Sequence, residues 1–241
     1  MCGRFTREFT WQQVHEFLSL PLEWLDRGPE GFGASWNVAP TQRTLVGRSV
    51  RGSDGGEREA VMMRWGLRPA WMDGGAAPIN ARSETAAGSA MFRGAFRERR
   101  CIVPVSGFYE WKKVGERKQP WYVRLRGGEI MALAGLWEAR KLEGKEGGAE
   151  GAEWSLTFAI LTTRANAFME AIHDRMPVVL GTERFEEWVG ASEVDPASLG
   201  PIEAERLEGW AVSTQVNSPR NDERKLVEPV AEVGEEKGLF G

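Results

Sequence analysis

The residues that could do chemistry are few and scattered. Cys2 follows the initiating Met, and its removal would leave one residue carrying both an α-amine and a thiol. The amine ionises near pH ~7.7–8.0 and the thiol near ~8.5, so both are partly nucleophilic at neutral pH. Such a pair captures an aldehyde: the amine forms a Schiff base, and the thiolate closes a five-membered thiazolidine. No internal residue can do this, because its nitrogen is an amide. Taken alone, Met-Cys is equally an accident of translation start. GFYEW (107–111) sets Glu110 between aromatics. In a pocket that carboxylate would have a raised pKa and could shuttle protons. On an alternating strand it would simply face solvent, the commoner case. AIHDRMP (171–177) places His173 at a helix end ahead of Asp174 and Arg175, and His is the natural acid/base near neutral pH. INARSET (79–85) offers an amide, a guanidinium, a hydroxyl and a carboxylate together. WNVAP (36–40) reads as a tight polar turn with Asn37 and Pro40. RWGLRPAW (64–71) reads either as a basic, aromatic surface suited to stacking bases or as a strand end packed by Trp.

These residues need a scaffold. Thr10-Trp11-Gln12-Gln13 fits a capping box, with Trp11, Val14, Phe17 and Leu18 at helical spacing and Pro21 ending the run. His15 in that helix reads as a boundary residue rather than a ligand. TLVGR, AVMMRW, CIVPV, WYVRLR, IMALAGLW, WSLTFAILT and WAVSTQV then read as strands. Segments 51–59 and 141–153 read as exposed, Gly-rich hairpin loops. Helices are expected over about 164–172 and 183–189. The fold class expected is α+β: a single domain on antiparallel, barrel-like β-sheet with flanking helices, spanning 1–230, with a frayed tail over 231–241.

The 241 residues carry a net charge of −4 and 41% hydrophobic residues, an ordinary soluble balance able to build a core. The first hundred residues hold fourteen Arg, no Lys and eleven acids, a net of +3, which leaves −7 for the rest. Arg pairs with phosphate bidentately, although codon bias would produce the same skew. Most of the eleven Trp are expected in the core. No apolar run is long enough to span a bilayer, and no basic segment leads into an apolar one, so neither a membrane nor secretion is expected. With only Cys2 and Cys101, a reducing cytoplasm is the default. A zinc site would have to gather both Cys with His15 and His173, without C-x-x-C or H-x-x-H spacing, so no metal is expected. No G-x-G-x-x-G or Walker motif is present, so no nucleotide cofactor is expected.

MCGRF, WNVAPT, RWGLRPAW, INARSET, RCIVPVSGFYEW, LTT and IHDRMPVVL, in this order, resemble the SRAP family, the SOS response-associated peptidases, now viewed as abasic-site shields. The resemblance covers residue 2 to about 230. It implies single-stranded DNA as partner, and covalent capture of the ring-opened abasic aldehyde by Cys2 as a thiazolidine crosslink, without a cofactor. By position it implies that Asn80 holds the reacting centre, Glu110 moves protons and His173 is a second acid/base. Arg82 and Arg175 would grip phosphates, and Arg4, Asn37, Pro40 and Trp71 would line the groove. A monomer is the simplest expectation. Two departures stand out. Ala90 falls where some members carry a basic residue, with Arg93 as a substitute, and Trp71-Met72 replaces an aromatic pair. The alternatives are an N-terminal-nucleophile peptidase, in which Cys2 attacks an amide, and a non-covalent single-strand-binding module; a lyase side activity would follow from any Schiff base at C1′.

Overall fold

A computed structural model describes residues 2–26, 28–50, 57–142 and 154–232. The strands are β1 (Arg4–Arg7), β2 (Ser35–Val38), β3 (Arg43–Ser49), β4 (Arg58–Trp65), β5 (Asn80–Arg82), β6 (Arg100–Val105), β7 (Gly107–Val114), β8 (Arg117–Leu125), β9 (Met131–Lys141), β10 (Trp154–Arg164), β11 (Arg175–Pro177), β12 (Val179–Leu180) and β13 (Leu207–Ala211). The helices are α1 (Trp11–Phe17), α2 (Ser83–Ala86), α3 (Arg93–Glu98) and α4 (Phe185–Gly190).

Five strands form an open antiparallel sheet in the order β13-β8-β7-β1-β2. The remaining eight form a second sheet in which β10, β4, β3, β6 and β9 follow one another, and the β9–β10 hairpin pairing closes that run into a ring. Closure removes the free edges that an open sheet would expose. The alternation of side chains along each strand then gives the ring an inside and an outside. Val46, Met63, Val103, Leu133 and Phe158 point inward, in one buried cluster with Cys2, Phe5 and Phe108 of the open sheet. Leu45, Ala60, Ile102, Ala134 and Ala159 point outward, under Val14 and Leu18 around α1, Phe96 of α3 and Phe185 and Trp188 of α4. Gly135 is required inside the ring, since a Cβ there would lie 2.8 Å from Cys101 Sγ. The Trp65 ring lies 4.9 Å from that of Phe5 and stacks on Phe158, joining the two sheets.

The capping box forms as read: Gln13 N–H donates to Thr10 Oγ1 at 3.2 Å, and Thr10 N–H to Gln13 Oε1 at 2.8 Å. His15 is buried, its Nε2 2.9 Å from the Pro21 carbonyl. Two expectations are corrected. The helix expected over 164–172 is mostly absent: β10 runs on to Arg164, because Thr162 and Thr163 pair with Pro177 and Met176, and only a 3₁₀ turn forms at Met169–Ala171. The strand expected over WAVSTQV stops at Ala211, and Ser213 caps a 3₁₀ turn over Thr214–Asn217. Residues 51–56, 143–153 and 233–241 of the expected loops and tail lie outside the described residues.

Candidate active site

The platform of the site is the end of β10. There Thr162 pairs in parallel with Arg82 of β5 and, across its other edge, in antiparallel with Pro177 of β11. Three segments far apart in sequence thus converge: Arg82 is level with Pro177, and Arg175, level with Arg164 two positions further along β10, reaches Glu84 just past β5. The Trp65 indole N–H fixes the entry to β5 by donating to the Ile79 carbonyl at 2.9 Å. From the open sheet, β1 pairs with β7 through Phe5↔Phe108 and Arg4↔Tyr109. One more step along that register sets Gly3 level with Glu110. The Asn80 amide closes the arrangement by donating to the Cys2 backbone carbonyl at 2.8 Å.

The resulting site is buried. Cys2 is fully buried and Glu110 is 1% exposed. Burial, and then the negative charge of Glu110, push the Cys2 thiol far above its ordinary range. Burial likewise raises the Glu110 carboxyl, opposed by nearby positive charge, that of His173 included. Both groups therefore favour their neutral forms. The Cys2 Sγ donates weakly to the Arg4 carbonyl at 3.9 Å. His173 Nδ1 faces two partners: the Arg175 backbone N–H at 2.9 Å and Asp174 Oδ1 at 2.8 Å. One nitrogen cannot serve both at once. The first contact suits Nδ1 as an acceptor, the second Nδ1 carrying a proton, so the ring has a partner whether or not Nδ1 is protonated. Asn80 Oδ1 is buried with no hydrogen-bond partner among the described residues, leaving an acceptor beside Cys2.

Cys2, Asn80, Glu110 and His173 thus come together. The other residues singled out in the sequence divide. Arg82 is exposed next to Asn80. Arg175 is clamped in two parallel bonds by Glu84 of α2, at 2.7 and 2.8 Å, and also donates to the Thr162 carbonyl. Arg4 and Asn37 face away from the thiol. Arg4 donates to Asn37 Oδ1, Val216 O and Asn217 O, while the Asn37 amide donates to Val216 O, Ser218 O and Asn221 O. Pro40 is half-buried ahead of Thr41, whose φ of 75° makes the turn. Trp71 is 63% exposed and, with Ala90 and Arg93, lines a surface cavity of about 930 Å³ that contains none of the four central residues. Among the described residues, no group of three or more His, Cys, Asp or Glu could hold a metal ion, and no helix is long and apolar enough to cross a membrane.

A profile of the family described as SOS response associated peptidase (SRAP) matches residues 1–219. The chain belongs to the SRAP family. It is 37% identical over 237 residues to the abasic site processing protein YoqW of Bacillus subtilis strain 168, which covers 95% of this chain and 99% of that protein. It is 32% identical to the abasic site processing protein YedK of Escherichia coli K12, over 95% of this chain and 100% of that protein. It is 31% identical to the abasic site processing protein HMCES of Gallus gallus, over 86% of this chain and 69% of that protein. A crystal structure of a Bacteroides thetaiotaomicron protein shares the fold, with a TM-score of 0.70 at 23% identity over 94% of this chain and all of that one. Within this SRAP domain, reading the sequence missed Glu84 as the partner of Arg175, Thr162 as the hub of three strands and the 216–221 strap. Glu84 sits in INARSET, but nothing in its spacing announces a partner ninety-one residues away.

Proposed function

We propose that this SRAP protein processes abasic sites in single-stranded DNA by covalent capture. Once Met1 is removed, the Cys2 amine attacks the C1′ aldehyde of the ring-opened sugar. Water leaves and an imine forms. The thiol sulfur then adds to the imine carbon, its proton passes to nitrogen, and a thiazolidine results. The observation that carries this reading is the Asn80 amide holding the Cys2 carbonyl beside the buried Glu110. That restraint fixes the amine-bearing residue through its carbonyl, while its sulfur makes only the weak contact to the Arg4 carbonyl. Glu110, held toward its protonated form, donates to the departing water and the sugar ring oxygen. His173, whose Nδ1 can either accept from the Arg175 backbone N–H or donate to Asp174, takes and returns the proton of the sugar hydroxyl.

Arg82 would meet a backbone phosphate directly. Arg175 would do so by exchanging Glu84 for DNA. Pro40 and Trp71 would flank the strand, and Arg4 and Asn37 would shape the groove through the strap they hold. Phosphate contacts of this kind give salt-dependent affinity without sequence preference. A thiol peptidase is the weaker reading. Such an enzyme needs a thiolate activated by an adjacent base. Here burial opposes the thiolate, and the hydrogen bond of Sγ goes to a backbone carbonyl.

Intact-mass analysis after mixing with single-stranded DNA bearing an abasic site tests the proposal. The expected species has the mass of the Met1-less protein plus the oligonucleotide less one water. Cys2→Ala and Cys2→Ser should both lack the stable adduct, because ring closure needs sulfur. A stable adduct with Cys2→Ser, or none with the wild type, would overturn it.

A further inference from the structure

We infer that Trp121 and Lys112 form a subsite for a backbone phosphate of the strand, immediately outside Glu110 on the β7–β8 face; the inference rests on the DNA-binding part of the proposed function. Trp121 of β8 is the cross-strand partner of Glu110 of β7. Directly opposed residues share a face of the sheet with their Cβ atoms about 4.5–5.5 Å apart. Lys112 lies two residues beyond Glu110, so it shares that face as well. The row Phe108, Glu110, Lys112 therefore climbs from the central core to the surface: the first two are buried and the Lys112 side chain is 29% exposed.

Two features of this row point to an absent anionic ligand. The Trp121 indole N–H is shielded from solvent and has no hydrogen-bond partner among the described residues. A buried donor left unpaired is uncommon and calls for an explanation, because it forgoes water without gaining a partner. Trp121 also packs against the cluster that contains Cys2 and Phe108. The second feature is the Lys112 ammonium, 5.0 Å above the Trp121 ring and held loosely by Glu232 at 3.4 Å, both side chains of that pair being about a third exposed. Ion pairs this exposed to solvent contribute little and exchange readily. A phosphate placed over the indole edge would accept from the unpaired N–H and displace Glu232 from Lys112. Neither residue is part of the aldehyde chemistry. Their contribution is to hold the nucleotide beside the lesion so that C1′ meets the Cys2 amine.

The test uses the Met1-less protein and a single-stranded oligonucleotide carrying the unreactive tetrahydrofuran analogue of an abasic site. The indole N–H resonance of Trp121, assigned by its loss in Trp121→Phe, should move downfield on addition of the oligonucleotide. Lys112→Ala should weaken binding roughly three- to tenfold and lower the slope of log affinity against log salt by about 0.7, the value for one phosphate contact on a single strand. Trp121→Phe, which keeps the ring and removes the donor, should weaken binding roughly two- to tenfold, as for one hydrogen bond. A bound complex with an unmoved Trp121 resonance would overturn the subsite. So would an equal loss of salt slope in Lys118→Ala, whose side chain lies on the opposite face. Covalent capture fails separately: DNA that moves the resonance yet forms no adduct with a true abasic site leaves the subsite standing. A protein that binds no DNA refutes both.

Discussion

At the scale of the residue, Glu110 pays for its place in the fold. Burial raises its carboxyl, so the folded protein binds that proton more tightly than the unfolded chain does. The protonated form is stabilising below the unfolded value of about 4.3, and that contribution is lost as pH rises through the higher folded value. Glu110→Gln, neutral at every pH, should therefore melt at a higher temperature than the wild type at pH 7–8. The advantage should vanish near pH 4, where both side chains are neutral. Thermal melts of the two Met1-less proteins across that range check it, and equal melting temperatures at pH 8 would contradict it. Under the proposed mechanism the same substitution should slow capture, since an amide cannot deliver a proton; stability given up at a functional residue would be a familiar trade. Sequence alone could not decide between a buried and a solvent-facing Glu110. GFYEW is aromatic on both faces, with Phe108 in the central core and Tyr109 in a second cluster with Tyr122, so alternation identifies no outside. Cys2 was legible for a different reason, since only its position in the chain supplies the amine.

At the scale of the element, the site depends on β7 lying flush against β8 and β1. Gly107 opens β7, and its space is already occupied: a Cβ there would lie 2.5 Å from Tyr122 Oη and 2.7 Å from the Val123 carbonyl oxygen. The carbonyl belongs to the neighbouring strand and cannot rotate away. The hydroxyl is held at 2.9 Å by Thr6 Oγ1. Gly107→Ala must therefore separate β7 from β8, and with it strain or break the Thr6–Tyr122 bond. We expect a loss of about 1–3 kcal/mol or more, the usual range for overpacking, read as a lower denaturation midpoint in urea. A Gly107→Ala protein as stable as the wild type would mean that the strands yield more easily than this packing implies. Strands and the α1 cap were readable because β-branched runs and capping boxes are local signals. The segment after Arg164 was misread because its helical spacing competes with a pairing that no local pattern reveals. Thr162 and Thr163 extend β10 only because β11 is there to receive them.

At the scale of the molecule, the chain returns to its beginning. The open sheet and the closed ring meet at Phe5, Trp65 and Phe158, and Cys2, the proposed nucleophile, is buried in the same cluster. The strap that follows β13 then seals the outer side of β1 and β2. Asn37, 1% exposed, is its anchor: one amide serves the carbonyls of Val216, Ser218 and Asn221, and its oxygen accepts from Arg4. Trp36 N–H adds a bond to Asp222 Oδ1, and Trp111 Nε1 one to Asn217 Oδ1. These contacts span nearly the whole sequence, which is why WNVAP read only as a polar turn. Asn37→Asp isolates the strap's contribution. The isosteric carboxylate keeps an acceptor for Arg4 but removes the donor and faces three carbonyls with negative charge. Unpaired buried acceptors cost about 1–3 kcal/mol each, so the variant should lose at least one such increment in urea denaturation. Because the strap also fixes Arg4, at the start of the strand that follows Cys2, DNA capture should fall with it. Under strongly stabilising conditions that restore the strap without added salt, such as an uncharged osmolyte like sucrose, capture should recover toward the wild-type rate. A variant that stays fully stable yet binds DNA poorly would instead mean that Asn37 meets the strand itself, with the strap secondary.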